Sequence, residues 1–176
     1  MIKKEITNHL KPIVDASGYA VFEQNKKIFF INYGISWIYT FNFVIGILLA
    51  ILTINGIIQL VFNFLTGIIL LAIALPCGLG LVGGVNMIKK AKNKPLENLN
   101  IIAIVDIKSK KLLKKNGEIL ASLGVVQFGR TFQIGSSSYA IRARWPDGSI
   151  IIARGNPFAG GISDFIYALK SRGLMK

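Results

Sequence analysis

A chain of 176 residues has room for one ordinary domain and a small attachment, which excludes a multi-domain enzyme. It carries a formal net charge of +13, and 52% of its residues are hydrophobic. A single cysteine, Cys77, excludes an internal disulfide or a cysteine-based metal cluster and leaves the redox compartment unreadable.

The N-terminal segment sets Ile2, Ile6, Leu10, Ile13 and Val14 at roughly helical spacing, with Lys3, Lys4, Glu5 and Lys11 between them. This predicts a short amphipathic helix, which either lies in a membrane interface or covers a neighbouring β-domain. From Tyr19 to Ile31 two β-prone runs flank Gln24-Asn25-Lys26-Lys27, predicting a hairpin that could lend strands to a later domain. Residues 1–34 are thus expected to form an amphipathic helix and a β-hairpin on the cytoplasmic side.

Between Lys27 and Lys89 there is no Lys, Arg, Asp, Glu or His. A charge at mid-bilayer costs at least about 2.5–3.5 kcal/mol on insertion scales, and a spanning helix needs ~20 apolar residues, so this stretch predicts two spans. The apolar region starts too far from the N-terminus and runs on too long for a secretory signal, so cleavage is not expected. A transmembrane hairpin is predicted over 35–88, with spans at about 35–54 and 57–85 and the reversal at Asn55-Gly56. Trp37, Tyr39 and Tyr33 would sit in the headgroup region. The second span is overlong, and tilt, a kink at Pro76 or an early exit must absorb the excess. Lys26 and Lys27 before the first span, and Lys89, Lys90, Lys92 and Lys94 after the second, place both termini in the cytoplasm, by the excess of basic residues on that side. Abundant Ile, Lys and Asn suggests an AT-rich genome, and the expected location is a bacterial inner membrane.

Residues 95–176 change to β code: Ile101 to Ile107, Lys111 to Lys114, Ile119 to Phe128, Thr131 to Ile134, Tyr139 to Trp145 and Ile150 to Arg154. Asn116-Gly117, Gly135-Ser136-Ser137-Ser138 and Pro146-Asp147-Gly148-Ser149 supply the turns. Ser163 is the expected N-cap of a closing helix from Asp164 to about Ser171, which buries Phe165, Ile166 and Leu169 and stops at Gly173.

Several short antiparallel strands and one terminal helix make the layout of a pleckstrin-homology-like (PH-like) barrel, in which the helix plugs one open end. The order of elements over most of the chain resembles bacterial membrane proteins that carry a PH-like domain after a two-helix hairpin. It is also similar in layout to the photosystem I assembly protein family, including Val105-Asp106-Ile107-Lys108 before a basic turn and Arg144-Trp145-Pro146-Asp147-Gly148. The resemblance implies a membrane protein with a two-helix transmembrane hairpin and an α+β soluble domain, an antiparallel PH-like β-barrel with a C-terminal helix. No fixed motif is matched residue by residue, so no functional residue is carried over.

Catalysis needs a nucleophile with a base, a carboxylate pair or metal ligands in a concave site, and the inventory for these is poor. His9 is the one histidine, and Glu5, Asp15, Glu23, Glu97, Asp106, Glu118, Asp147 and Asp164 fall mostly at turns or element ends. No enzyme activity, cofactor or metal is expected. Gly78, Gly80, Gly83 and Gly84 have no Lys-Ser/Thr partner, so a phosphate loop is not expected there; Gly80 and Gly84 have the spacing that lets helices pack closely. Asn42 and Asn63, with Gln59 and Thr66, could hydrogen-bond across helices or line a path. With the reversal at Asn55-Gly56, Asn42 would face a position near Ile69 and Asn63 one near Leu48, so the two would miss each other and seek partners elsewhere, including a second copy of the chain.

Nine lysines form two candidate contact groups: Lys89, Lys90, Lys92 and Lys94 beside the hairpin, and Lys108, Lys110, Lys111, Lys114 and Lys115 around a turn. Each lysine near an anionic leaflet is worth about 1 kcal/mol, so both could dock the domain on acidic lipid; topology and solubility are the plainer reading. Arg142 and Arg144 share a face by their spacing of two, either solvated or anion-binding, with Arg130 nearby and Ile151 and Ala153 across the ladder. Nucleic acid is the weaker reading, because no base-stacking aromatic pair accompanies these arginines. The expected function is a non-catalytic membrane protein whose basic domain binds a protein partner or anionic lipid, in a scaffold, assembly or regulatory role. The alternatives are an oligomeric channel or transport subunit, and an immunity or defence membrane protein.

Overall fold

The computed structural model describes residues 12–95, 98–134, 137–159 and 162–175. The chain divides into two compact units, one of residues 1–36 and 94–176 and one of residues 37–93.

Among the described residues the first unit holds nine strands and one helix. Strands β1 (Val14–Ala16), β2 (Tyr19–Gln24), β3 (Lys27–Asn32), β4 (Asn100–Asp106), β5 (Lys111–Leu113) and β6 (Ile119–Ser122) pair in that order as an antiparallel sheet. Strands β7 (Gln127–Phe132), β8 (Tyr139–Trp145) and β9 (Gly148–Arg154) form a second antiparallel sheet. The expected barrel is therefore corrected: β6 and β7 share no ladder, and the domain is two sheets rather than one closed one. The run Ile119 to Phe128, expected as one strand, breaks at Leu123–Val126, where the chain changes sheets; the Thr131 to Ile134 strand merges into β7. The segment from Met1 to Lys11, with its expected helix and His9, lies outside the described residues, and Val14 begins β1 instead.

The hairpin of residues 19–32 joins the later domain by pairing β3 with β4, Ile28 against Val105 and Phe30 against Ala103. Its turn is tighter than expected, with only Asn25 and Lys26 between the strands, at φ 50° and 61°. A two-residue connection with both residues left-handed matches the twist of a β-ribbon.

Strand alternation sorts the apolar residues into two clusters. Val21, Ile28, Phe30, Val105 and Leu112 meet Phe128, Ile141 and Ile152 of the second sheet. The Phe30 and Phe128 rings lie 6.4 Å apart across the two layers. On the opposite face of the first sheet, Ala20, Phe22, Phe29, Ile31, Leu99, Ile101 and Ile104 form a second cluster. Burial on both faces explains why Ile28 to Ile31 is an unbroken apolar run.

Helix α3 (Ser163–Lys170) closes the core with Phe165, Ile166, Ala168 and Leu169. Ser163 is its first helical residue; the cap position belongs to Ile162, which makes no side-chain capping bond, a correction to the expected Ser163 cap. The helix stops as expected: Gly173 takes φ 68°, its N–H donates to the Lys170 carbonyl, and the Leu174 N–H donates to that of Leu169. This left-handed closure satisfies the last carbonyls and turns Leu174 back onto the core edge.

The second unit is made of two helices, numbered α1 (Ser36–Phe62) and α2 (Phe64–Lys92), both long and apolar enough to cross a membrane. Their reversal is at Asn63, not at Asn55-Gly56. Asn55 stays helical because its side-chain amide donates to the Ile51 carbonyl one turn back. Asn63 has the extended backbone of a cap and its side chain accepts from the Thr66 N–H at 3.2 Å. Moving the turn gives helices of 27 and 29 residues, and at ~1.5 Å per residue both exceed a hydrocarbon core of ~30 Å, so the excess length expected of the second helix is shared by both.

Candidate functional site

The antiparallel register gathers lysines that are distant in sequence. Lys27 pairs with Asp106 across β3 and β4, and Asp106 pairs with Lys111 across β4 and β5. The Ile107 N–H donates to the Lys26 carbonyl at 2.9 Å, and the Leu123 N–H donates to the Lys110 carbonyl at 2.8 Å. Lys26, Lys27, Lys108, Lys110 and Lys111 thereby occupy one end of the first sheet. Lys26, Lys108 and Lys110 are exposed.

Asp106 is the carboxylate within this cluster and it shapes the turn. Its Oδ1 accepts from the Ser109 N–H at 3.0 Å. That bond, with smaller help from the Lys27 charge, holds the carboxyl below the ordinary carboxylate range. Lys110 takes φ 54° to complete the reversal.

Two lysines expected in the same group are elsewhere. Lys114 and Lys115 belong to the β5–β6 turn, at the other end of β5. Lys114 pairs with Glu118 at 2.7 Å, and this bond, with that from Asn116, lowers the Glu118 pKa. The Lys115 ammonium donates to the Leu99 carbonyl at 3.0 Å. Lys26 and Lys27, which the sequence suggests only as topology signals, replace them in the cluster. Lys89, Lys90 and Lys92 lie in the last turn of α2, where cations suit the helix dipole, and Lys94 follows it.

Beside Lys110 the core edge opens into a cleft of about 560 Å³, lined by Leu123, Val126, Phe128 and Leu174 with Gly124, Gln127 and Gly173. The sequence gives no sign of it, because the cleft depends on the β6–β7 break and on the turned-back Leu174.

The arginines are divided by the second sheet. Arg142 stands opposite Gly129, and Arg144 opposite Gln127, on the outer face. Arg130 stands opposite Ile141, a core residue, and so belongs to the inner face, against the expectation that the three share one surface. Arg142 donates to Ser149 Oγ and Arg144 to Thr131 Oγ1, each at 3.2 Å. Ile151 stands across from Arg142 as expected, whereas a bulge moves Ala153 opposite Ile141. Arg130 instead borders a smaller cleft of about 290 Å³ with Ser137, Ser138, Tyr139, Asn156, Ser163 and neighbouring apolar residues.

The packing residues also differ from expectation. Asn42 lies against Gly84, where an added methyl would collide with its carboxamide. Asn63 is a cap, not a cross-helix contact. A Cβ on Gly80 would meet nothing within 4 Å, whereas one on Gly67 would stand 2.6 Å from the Leu60 backbone nitrogen and one on Gly56 2.9 Å from Leu71. Gly56, Gly67 and Gly84 are therefore the close-approach positions within the hairpin, and Gly80 is not.

Protein-family models, curated proteins and solved structures give no match to this chain. The functional reading therefore rests on its own residues. Glu23 pairs with Arg172 at 2.8 Å, Glu118 with Lys114, and Asp106 caps a turn, so each of these acids has a structural task. Among the described residues no group of three His, Cys, Asp or Glu side chains could hold a metal ion.

Proposed function

We propose that the protein is a non-catalytic membrane-anchored docking module. The two apolar helices span a bacterial inner membrane as a hairpin, both termini are cytoplasmic, and the basic sheet unit binds a protein partner or anionic lipid as a scaffold, assembly or regulatory component. The observation that carries this reading is the gathering of Lys26, Lys27, Lys108, Lys110 and Lys111 on one sheet end around a single acid, Asp106. Sequence-distant residues of one charge on a sheet end attract an anionic surface. Topology does not call for Lys108, Lys110 and Lys111, which lie far from the apolar segment in sequence.

A photo-crosslinking residue at position 108 of the full-length protein in its native membrane tests the reading. Adducts to a discrete protein or to anionic lipid, lost when Lys26, Lys27, Lys110 and Lys111 become Gln, are expected. Yields no higher than those from a control position in the β5–β6 turn would overturn it.

The channel alternative draws on Asn42, Asn63 and the glycines; Asn42 lies against Gly84 inside the hairpin and Asn63 caps α2.

A further inference from the structure

Large apolar side chains gather at the β7–β8 tip of the second sheet. Phe132 is 66% and Ile134 99% exposed, and Tyr139 and Phe158 are exposed beside them. Phe132 and Tyr139 are ladder partners, and their rings meet edge to face at 6.3 Å. Apolar residues exposed singly need no explanation, but a group of them marks a surface that is covered when the protein is at work.

Hydrogen bonds tie this tip to the residue at which the first long helix begins. The Gln133 amide donates to the Tyr139 and Gly155 carbonyls at 3.0 and 3.2 Å, and the Ser138 hydroxyl donates to the Gly155 carbonyl at 2.8 Å. The next residue, Asn156, donates its side-chain amide to the Ser36 carbonyl at 2.9 Å and accepts from the Phe158 N–H at 2.8 Å. Ser36 is the first residue of α1. If α1 spans a bilayer, covalent connection alone puts Ser36 at the membrane surface, and the bonded tip is held there with it.

The chemistry of the tip suits that position. Aromatic rings favour the headgroup region of a bilayer. Arg130 precedes Phe132 by two residues, so it shares the same face of β7, about 7 Å back along the strand. It borders the cleft of about 290 Å³ together with Ser137, Ser138 and Tyr139. Among the described residues no carboxylate pairs with Arg130. A guanidinium with hydroxyls near it matches a phosphate, and apolar groups foremost with a cation set behind them is the order of an interfacial anchor.

We propose that this tip sits in the headgroup region of the bilayer that α1 and α2 span, with Phe132, Ile134, Tyr139 and Phe158 among the lipids and Arg130 on a lipid phosphate. This rests on the reading of the two long helices as membrane spans. It gives the sheet unit a second attachment to the membrane, apart from the lysine cluster.

The test measures membrane depth by spin labelling of the full-length protein, one chain per nanodisc of mixed zwitterionic and acidic phospholipid. In a Cys77→Ala background, Ile134→Cys carries the nitroxide at the tip and Val125→Cys carries it at a control site. Val125 is also exposed, at 51%, and lies in the β6–β7 loop, where the Leu123 N–H reaches the Lys110 carbonyl. That is the opposite end of the first sheet from Asn100, roughly 20 Å away at ~3.3 Å per residue. Collisions with oxygen, relative to those with an aqueous nickel chelate, should be several-fold more frequent at 134 than at 125. A basic residue near an acidic leaflet is worth about 1 kcal/mol, so Arg130→Gln should lower the ratio of docked to lifted tip by about fivefold. Circular dichroism of each variant should match the parent; if that of Ile134→Cys does not, Phe132→Cys replaces it. Nickel access at 134 equal to that at 125, or a docked ratio that Arg130→Gln leaves unchanged, would overturn the proposal. Shelter at 134 that requires two chains per disc would also overturn it and assign the tip to a second copy. Release of the protein from native membranes by alkaline carbonate would remove the spanning reading itself, whereas a failed depth measurement on a carbonate-resistant protein removes this inference alone.

Discussion

The buried carboxamide of Asn156 ties three parts of the sheet unit together. Its backbone N–H donates to Ser17 Oγ at 3.2 Å, its side-chain amide to the Ser36 carbonyl at 2.9 Å, and its Oδ1 accepts from the Phe158 N–H at 2.8 Å. Ser17 is itself buried and left-handed, and an added Cβ on the following Gly18 would stand 2.9 Å from the Ser36 nitrogen. Asn156→Ala leaves buried donors and acceptors unsatisfied and should cost about 2–3 kcal/mol. Urea unfolding followed by Trp145 fluorescence in a Trp37→Phe background measures it; a change below about 0.5 kcal/mol, the usual range at an ordinary surface position, would show that Asn156 does not hold the unit together. Asp106 gives the pH prediction. Its pKa is lower folded than unfolded, so its contribution to stability is present above the ordinary carboxylate pKa and is lost as pH falls through the lowered value. The Ser109 amide resonance should therefore hold still from about pH 7 to 5 and move only below the ordinary carboxylate pKa of about 4. The Asn156 contacts with Ser17 and Ser36 are not legible in sequence, because these partners lie more than a hundred residues away.

At the scale of elements, apolar periodicity located most strands to within a few residues and the existence of both long helices, because those signals are local, but it placed the end of α1 and both ends of α2 too early. The hairpin reversal was misplaced because Asn-Gly is a strong turn signal in a polar setting. Within an apolar stretch the backbone must satisfy its own polar groups, so the helix continues through Asn55 until Asn63 caps the next one. The corrected turn also explains the pairing of Asn42 with Gly84, which are equidistant from it. Gly84→Ala should drive a methyl into the Asn42 carboxamide and destabilise the hairpin by about 1–3 kcal/mol. Asn42→Ala in the same chain should recover most of that loss. Thermal midpoints in detergent across this double-mutant cycle give the coupling, and additive effects would show that the two residues do not pack together.

For the whole molecule, composition and charge asymmetry point to two long apolar helices and a basic sheet-rich unit but not to which residues its site comprises. The lysine cluster exists only because β3 pairs with β4 across the intervening helices, a long-range choice with no local signature. The proposed topology makes its own prediction. In a Cys77→Ala background, a cysteine at position 63 should react with an impermeant maleimide in intact cells, and one at position 109 only after permeabilisation. Equal labelling of both sites would refute the proposed topology.

The pairing of Asn32 with Asn100 also has a consequence for synthesis. Strands β1 to β3 emerge from the ribosome before either long helix, yet the edge of β3 that pairs with β4 has no partner until both helices have been made. The four consecutive apolar residues Ile28 to Ile31 must therefore wait with an open edge, which invites mispairing with other chains. A flexible loop of that length would return β4 to β3 slowly, at the entropic cost of closing it. A helical hairpin avoids this by bringing its two ends back side by side, so completion of α2 itself delivers β4 to the waiting edge.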